Sequence, residues 1–315
     1  MDAGVVPGVR DPGGHARGGG GPHHGSRHGR HRRSVRNEHY DVIRQLPPRP
    51  GRSRPPPGAR AHARRRALRV AVVMRTTGEG YVEGESGRSV AVYELGTTSY
   101  GEVHRLQQRL QSQRREGSGG DTLLLTEHRP VFTLGRSHPT PDLRVGEDLV
   151  RQYGIEIVQT ERGGDITYHG PGQLVVYGII DLKRWGMGVL DYLTGLEDTV
   201  IGVLADWGLR GERSALGRGV WVGEGKIASA GLNVRRWVTM HGIALNIDPD
   251  MSHFEFINPC GMPDIEMTSM AAEAGKQVSF AEVAEAFIFH FARIFECAAT
   301  PVPIPGGDRT GDQSR

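Results

Sequence analysis

Apolar strands that follow one another with only glycine turns between them commit a chain to a sheet. The stretch RGGDITYHGPGQLVVYGIIDL, residues 162–182, sets that pattern here. Upstream, SVAVYELG at 89–96 alternates as a strand does, and DTLLLTEH and VFTLG read as two apolar strands parted by Arg129 and Pro130. A strand at 156–159 leads into the glycine-rich centre. Beyond it GVWVGEGKIASAGLNV and TMHGIALNI read as two strands joined through Arg235, Arg236 and Trp237. Helical spacing is confined to 99–116, where Val103, Leu106 and Leu110 share a face, to a short piece at 147–153, to 190–207 and to 280–296. Strands outnumber helices and often adjoin directly, so the spacing predicts an α/β fold of the α+β kind, a mixed β-sheet with helices packed on it.

The chain divides by composition. Residues 1–69 hold 16 arginines and 4 acidic residues, a net of +12, and the remaining 23 basic and 32 acidic groups leave residues 70–315 at −9. The leader also carries seven of the 14 histidines and runs of glycine and proline, with too little apolar surface to offset its chain entropy. We read 1–87 as a disordered basic leader that need not belong to the mature protein, Met74 being an alternative start, 88–300 as one catalytic domain, and 301–315 as a disordered tail. A nucleic-acid-binding role for the leader would show as salt-sensitive binding, but no aromatic interleaving supports it. Two cysteines make no disulfide framework and no apolar signal or membrane segment is visible, so the reading favours a reducing, cytoplasmic setting. Cys297 falls in a helical pattern and reads as a packed, inert thiol.

Chemistry concentrates in three segments. In RGGDITYHGPGQ, glycines let backbone approach a ligand while Arg162, Thr167 and His169 line a pocket; the bland alternative is a hairpin that caps its own turns. The segment lacks a P-loop pattern. In GEGKIASAGLNV, Lys226 is one of only three lysines against 36 arginines. A composition so rich in arginine supplies a plain positive charge with Arg, so the retained Lys suggests a group that must give up a proton. In FINPCGM, Pro259 and Gly261 turn the chain around Cys260 and expose a thiol. A thiol with an amine of adjustable pKa can form a covalent acyl intermediate and then deprotonate an incoming nucleophile. A Cys–His hydrolase with His169 or His241 as base is the alternative, without a protease signature around Cys260. No Cys/His metal-ligand set stands out, and neither a metal nor another cofactor is expected.

Together, RGGDITYHGPGQ, GKIASAGLNVRRW with MHGIALNID, and FINPCGM followed by TSM resemble the lipoyl(octanoyl) transferase family over roughly residues 88–300. The resemblance implies a biotin/lipoate-protein-ligase-like catalytic fold that moves an octanoyl group from octanoyl-acyl carrier protein to a lysine of lipoyl domains, those of 2-oxoacid dehydrogenases and the glycine cleavage H protein. This would be the first step of endogenous protein lipoylation, with neither nucleic acid nor membrane as partner. It implies Cys260 as acyl-thioester nucleophile and Lys226 as the residue that lowers its pKa, a Cys–Lys dyad. Substrate-binding positions would be Arg162, Gly163, Gly164, Asp165, Ile166, Thr167, Tyr168 and His169, then Ser229, Ala230 and Gly231, and Gly242, Ile243 and Ala244. Tyr168, Ile227 and Ile243 are candidate walls for the acyl chain. Both protein partners would be acidic, so Arg136, Arg235 and Arg236 are expected to form a basic rim. The alternative on the same fold is an ATP-dependent lipoate-protein ligase.

Overall fold

The computed structural model describes residues 87–137, 142–259 and 265–303. All but the last residue of the expected leader, nearly all of the expected tail, and Cys260 lie outside the described residues.

Strand β1 (Ser89–Thr98) runs into helix α1 (Tyr100–Glu116), which ends at Gly117 in the left-handed conformation, and β2 (Thr122–His128) returns parallel to β1. After Pro130 the chain leaves this sheet: β3 (Val131–Leu134), β4 (Glu156–Gln159) and β5 (Thr167–His169) form a separate three-stranded sheet in the order β4-β3-β5, with α2 (Glu147–Gln152) between β3 and β4. The chain rejoins the large sheet at β6 (Gln173–Ile179), then forms α3 (Leu182–Trp185) and α4 (Val189–Asp206). Strands β7 (Gly211–Ser214), β8 (Gly217–Val222), β9 (Gly225–Arg235) and β10 (Val238–Asn246) run antiparallel to their neighbours. A 3-10 turn (Met251–Phe256), α5 (Met270–Ala274), α6 (Phe280–Ile294) and β11 (Ala298–Pro301) complete the order. The large sheet reads β11-β1-β2-β6-β10-β9-β8-β7, parallel at its β11 end and antiparallel beyond, so it is mixed as expected.

The sequence reading differs from this in identifiable places. GVWVGEGKIASAGLNV is a hairpin of two strands, turning at Gly223 and Glu224, where one long strand was expected. Strands β7 and β11 and the short helices α3 and α5 were not anticipated.

Each sheet face carries its own core. Alternation along β6 sends Leu174 and Val176 to the face covered by α4 and α6, where Val200, Val203, Phe287 and Phe291 pack. Val175 and Tyr177 point to the other face, under Val103 of α1. The buried stripe of α1 is partly polar, comprising Tyr100, Val103, Gln107, Gln111 and Arg114, while Leu106 and Leu110 are half-buried. Gln111 donates to the Val238 carbonyl at 3.0 Å and Gln107 accepts from the His241 N–H at 2.9 Å, so the helix is fastened to β10 by amides as well as by packing. Arg114 pairs with buried Asp121 at 2.6 Å, and Asp121 also accepts from the Trp185 indole at 2.8 Å. Among the described residues no helix is long and apolar enough to cross a membrane.

Candidate active site

Between α1 and the sheet lies a cavity of about 60 Å³. Its first wall is the loop Arg162, Gly163, Gly164 and Asp165, followed by Thr167 and His169 of β5. The Gly163 N–H donates to the Leu232 carbonyl at 2.9 Å, which ties the loop to β9. The Arg162 guanidinium donates to the Thr133 hydroxyl at 2.9 Å on the neighbouring strand β3 and to the Gly163 carbonyl of its own loop at 3.2 Å. The floor comes from Ser229, Ala230 and Gly231 of β9 and Gly242, Ile243 and Ala244 of β10, which face each other in register. Gly242 is required by close approach, since a Cβ there would fall inside contact distance of the Val176 carbonyl on β6.

Three expected positions, Ile166, Tyr168 and Ile227, turn away. Strand alternation directs Thr167 and His169 into the cavity, so Tyr168 between them must face the opposite side. There it packs with Ile166, Phe132 and Phe254, its hydroxyl 2.9 Å from His253 Nδ1. Ile227, expected as an acyl wall, is instead core on the α4/α6 face; of the three expected walls only Ile243 borders the cavity. Sequence reasoning did not assign Tyr100, Val175, Tyr177 or His241 to the cavity lining, though all four border it. The run LVVYGI after Gln173 shows no polar alternation, so its pattern does not tell which residues face which side. Arg136 is exposed and its N–H donates to the Arg162 carbonyl at 3.0 Å, whereas Arg235 and Arg236 are exposed at the β9–β10 turn beyond the cavity floor.

Lys226 is fully buried on β9, three residues before Ser229, with its ammonium 4.9 Å from the centre of the Trp221 ring. Such a stacking offsets part of the cost of removing the charge from water. Gly219 on β8 makes the room: it adopts φ +135°, and a Cβ there would lie 2.9 Å from Lys226 Cε. Buried Glu197 of α4 holds the Gly219 N–H at 2.9 Å. The segment that resumes at Ile265 is fastened to Lys226 on both sides, Lys226 N–H donating to the Glu266 carbonyl at 2.8 Å and Thr268 N–H to the Lys226 carbonyl at 3.0 Å. From the Thr268 carbonyl a side-chain relay runs through Asn246 at 2.9 Å and Gln173 at 2.8 Å to His169 Nδ1 at 2.7 Å. The strand carrying Lys226 and the glycine-rich loop are thereby linked.

The histidines and tyrosines that line the cavity are uncharged at neutral pH. Burial pushes His169 and His241 down to about 3, and nearby His128, 2.8 Å from the Tyr177 hydroxyl, to about 4. Burial likewise raises the Tyr100 and Tyr177 phenols. His241 holds φ +65°, uncommon for a side-chain-bearing residue, and this turns its N–H to Gln107. Cys297 is buried in the α4/α6 core with its thiol pushed up to about 12, in keeping with an inert role.

Residues 99–292 match the lipoyl protein ligase A/B catalytic domain family. Similar curated proteins include an octanoyltransferase of Syntrophobacter fumaroxidans, 46% identical over 209 residues covering 66% of this chain and 92% of that one. Another, from Solibacter usitatus, is 45% identical and covers 68% and 96%. In fold the chain is similar to a bi-partite lipoate protein ligase of Thermoplasma acidophilum, with a TM-score of 0.54 at 17% identity over 69% of this chain and 88% of that one. An ATP-bound lipoate-protein ligase A gives 0.55 at 17% identity, with coverage of 69% and 89%.

Proposed function

Because the chain belongs to the octanoyltransferases of the lipoyl protein ligase A/B catalytic domain family and is thus an acyltransferase, we propose that it carries an octanoyl group from octanoyl-acyl carrier protein to a lipoyl-domain lysine through a Cys260 thioester. The observation that carries the reading is the buried Lys226 on the same strand as the Ser229–Gly231 floor of the cavity. The Lys226 ammonium stabilises the Cys260 thiolate, which attacks the donor thioester carbon. The tetrahedral oxyanion collapses, expelling the carrier thiolate and leaving the octanoyl group on sulfur. The carrier thiolate takes up a proton as it leaves.

The second half-reaction needs a neutral amine. With the Cys260 thiolate consumed, Lys226 sheds its proton and then accepts one from the incoming lysine as the C–N bond forms and the C–S bond breaks. Amide formation from a thioester is downhill, so the sequence of steps draws on no ATP. Apolar Val175, Ile243 and Ala244 offer the acyl chain a lining, each buried methylene contributing about 0.8 kcal/mol. The acceptors in this reading are lipoyl domains of 2-oxoacid dehydrogenases and the glycine cleavage H protein, as in the first step of endogenous protein lipoylation.

The intact mass of the protein after incubation with octanoyl-acyl carrier protein, without ATP, tests this directly. An octanoyl adduct on the wild type, absent from Cys260→Ser and cleared by lipoyl domain, is the expected result. No adduct, with lipoyl-domain modification only when ATP and free octanoate are supplied, would replace the transferase reading by the ligase one.

A further inference from the structure

We infer that His104, Glu161 and His241 form a binding site for a divalent transition-metal ion at the edge of the cavity. The three come from α1, the loop before Arg162, and β10, and their ligand atoms all lie within 4.8 Å of one another. His104 Nε2 lies 2.8 Å from Glu161 Oε2, and His241 Nε2 lies 4.0 Å from the same oxygen. An independent observation points to a ligand: His241 is 2% exposed, and its Nε2, aimed into this group, has no hydrogen-bond partner. A buried imidazole nitrogen left in that state carries a desolvation cost that a bound ion would remove.

Two imidazoles and a carboxylate form a donor set that suits zinc, with the remaining position open to water. Zinc–ligand lengths of about 2.0–2.2 Å put tetrahedral ligand atoms roughly 3.3–3.5 Å apart, so the present spacings need shifts of about an ångström. The two half-buried members can supply them, since His104 and Glu161 sit at the surface end of the group while His241 is fixed in the floor. The supports that hold metal ligands in place are present: Gln108 donates to Glu161 Oε1 at 3.3 Å, and Asn233 holds the Glu161 carbonyl at 2.9 Å. The neighbouring cation, Arg162, is engaged with Thr133. Sequence spacing gave no hint of this set, because the residues belong to three distant segments.

The test uses the full chain and Zn²⁺ alone, with thermal unfolding as the readout. An ion held equally by the folded and unfolded chain leaves Tm unmoved, whereas a site that exists only in the folded domain raises it. At a hundredfold excess over Kd the wild type should gain about 5–10 °C. His104→Gln and Glu161→Gln should lose that gain, together with one bound equivalent in equilibrium dialysis. His104→Cys, which restores a donor, should recover it and add a thiolate charge-transfer band with Co²⁺. His104 is half-buried on a helix surface, so its variants keep the fold, and far-UV circular dichroism checks this. No rise in the wild type, or a rise that His104→Gln and Glu161→Gln retain, overturns the site.

Discussion

Lys226 and Arg would carry the same charge into the same buried place, and their difference isolates the proton. In Lys226→Arg the guanidinium can still attract a thiolate but cannot become the base that frees the acceptor amine. Single-turnover rates should therefore divide, with acyl-adduct formation falling less than transfer to lipoyl domain, and transfer falling by roughly 10²–10⁴. Near-native transfer in that variant would remove the proton-transfer role. Gly219 beneath it offers a complementary probe. Gly219→Ala forces a side chain into φ +135° and against the Ala228 carbonyl and Lys226 Cε. We expect a loss of about 1–3 kcal/mol in urea unfolding, with a fall in turnover because the lysine is displaced. Unchanged stability and rate would show that the β8 backbone yields without moving Lys226.

The elements of the site were legible to the extent that their chemistry is local. The motif RGGDITYHGPGQ announces a glycine-rich loop in its own letters, and the loop does line the cavity. The orientation of its members was less accessible, since a three-residue strand decides that Thr167 and His169 face inward while Tyr168 faces out, and a list of residues carries no phase. Tyr100 was hidden for another reason: it is the first residue of a helix, brought to the site by how α1 crosses the sheet. The floor strands can be tested as an element. Gly242 lets β10 approach β6 closely, so Gly242→Ala should push the two strands apart and cost about 1–3 kcal/mol. Gly117→Ala is the contrast, because a Cβ there meets nothing within 4 Å and only the left-handed φ of +80° is strained. Equal losses at the two positions would mean that strand approach is not what Gly242 provides.

At the scale of the molecule, the mixed sheet could be read from adjoining strands, but its division in two could not. Strands β2 and β3 are separated by only two residues yet belong to different sheets, and β11 joins β1 by a parallel pairing across most of the domain. Long-range pairings of that kind leave no mark on local spacing. The division has an electrostatic consequence, because it encloses histidines from several segments where water cannot reach them. His169 and His241 at about 3 and His128 at about 4 stay neutral when folded, whereas in the unfolded chain each takes up a proton near its ordinary value of about 6.5. Above that value neither state binds the extra protons and the full stability is present. As pH falls below it the unfolded state alone gains them, and stability is lost until the folded values are reached. Near pH 5 three protons should be taken up on unfolding, a slope of about 4 kcal/mol per pH unit from these residues. Urea unfolding measured from pH 7 to pH 4.5 should show this decline, and His169→Gln should lower the slope by about one proton's worth. A slope that His169→Gln leaves unchanged would mean that His169 does protonate within the fold, and that the polar relay from Gln173 to Thr268 opens to admit water.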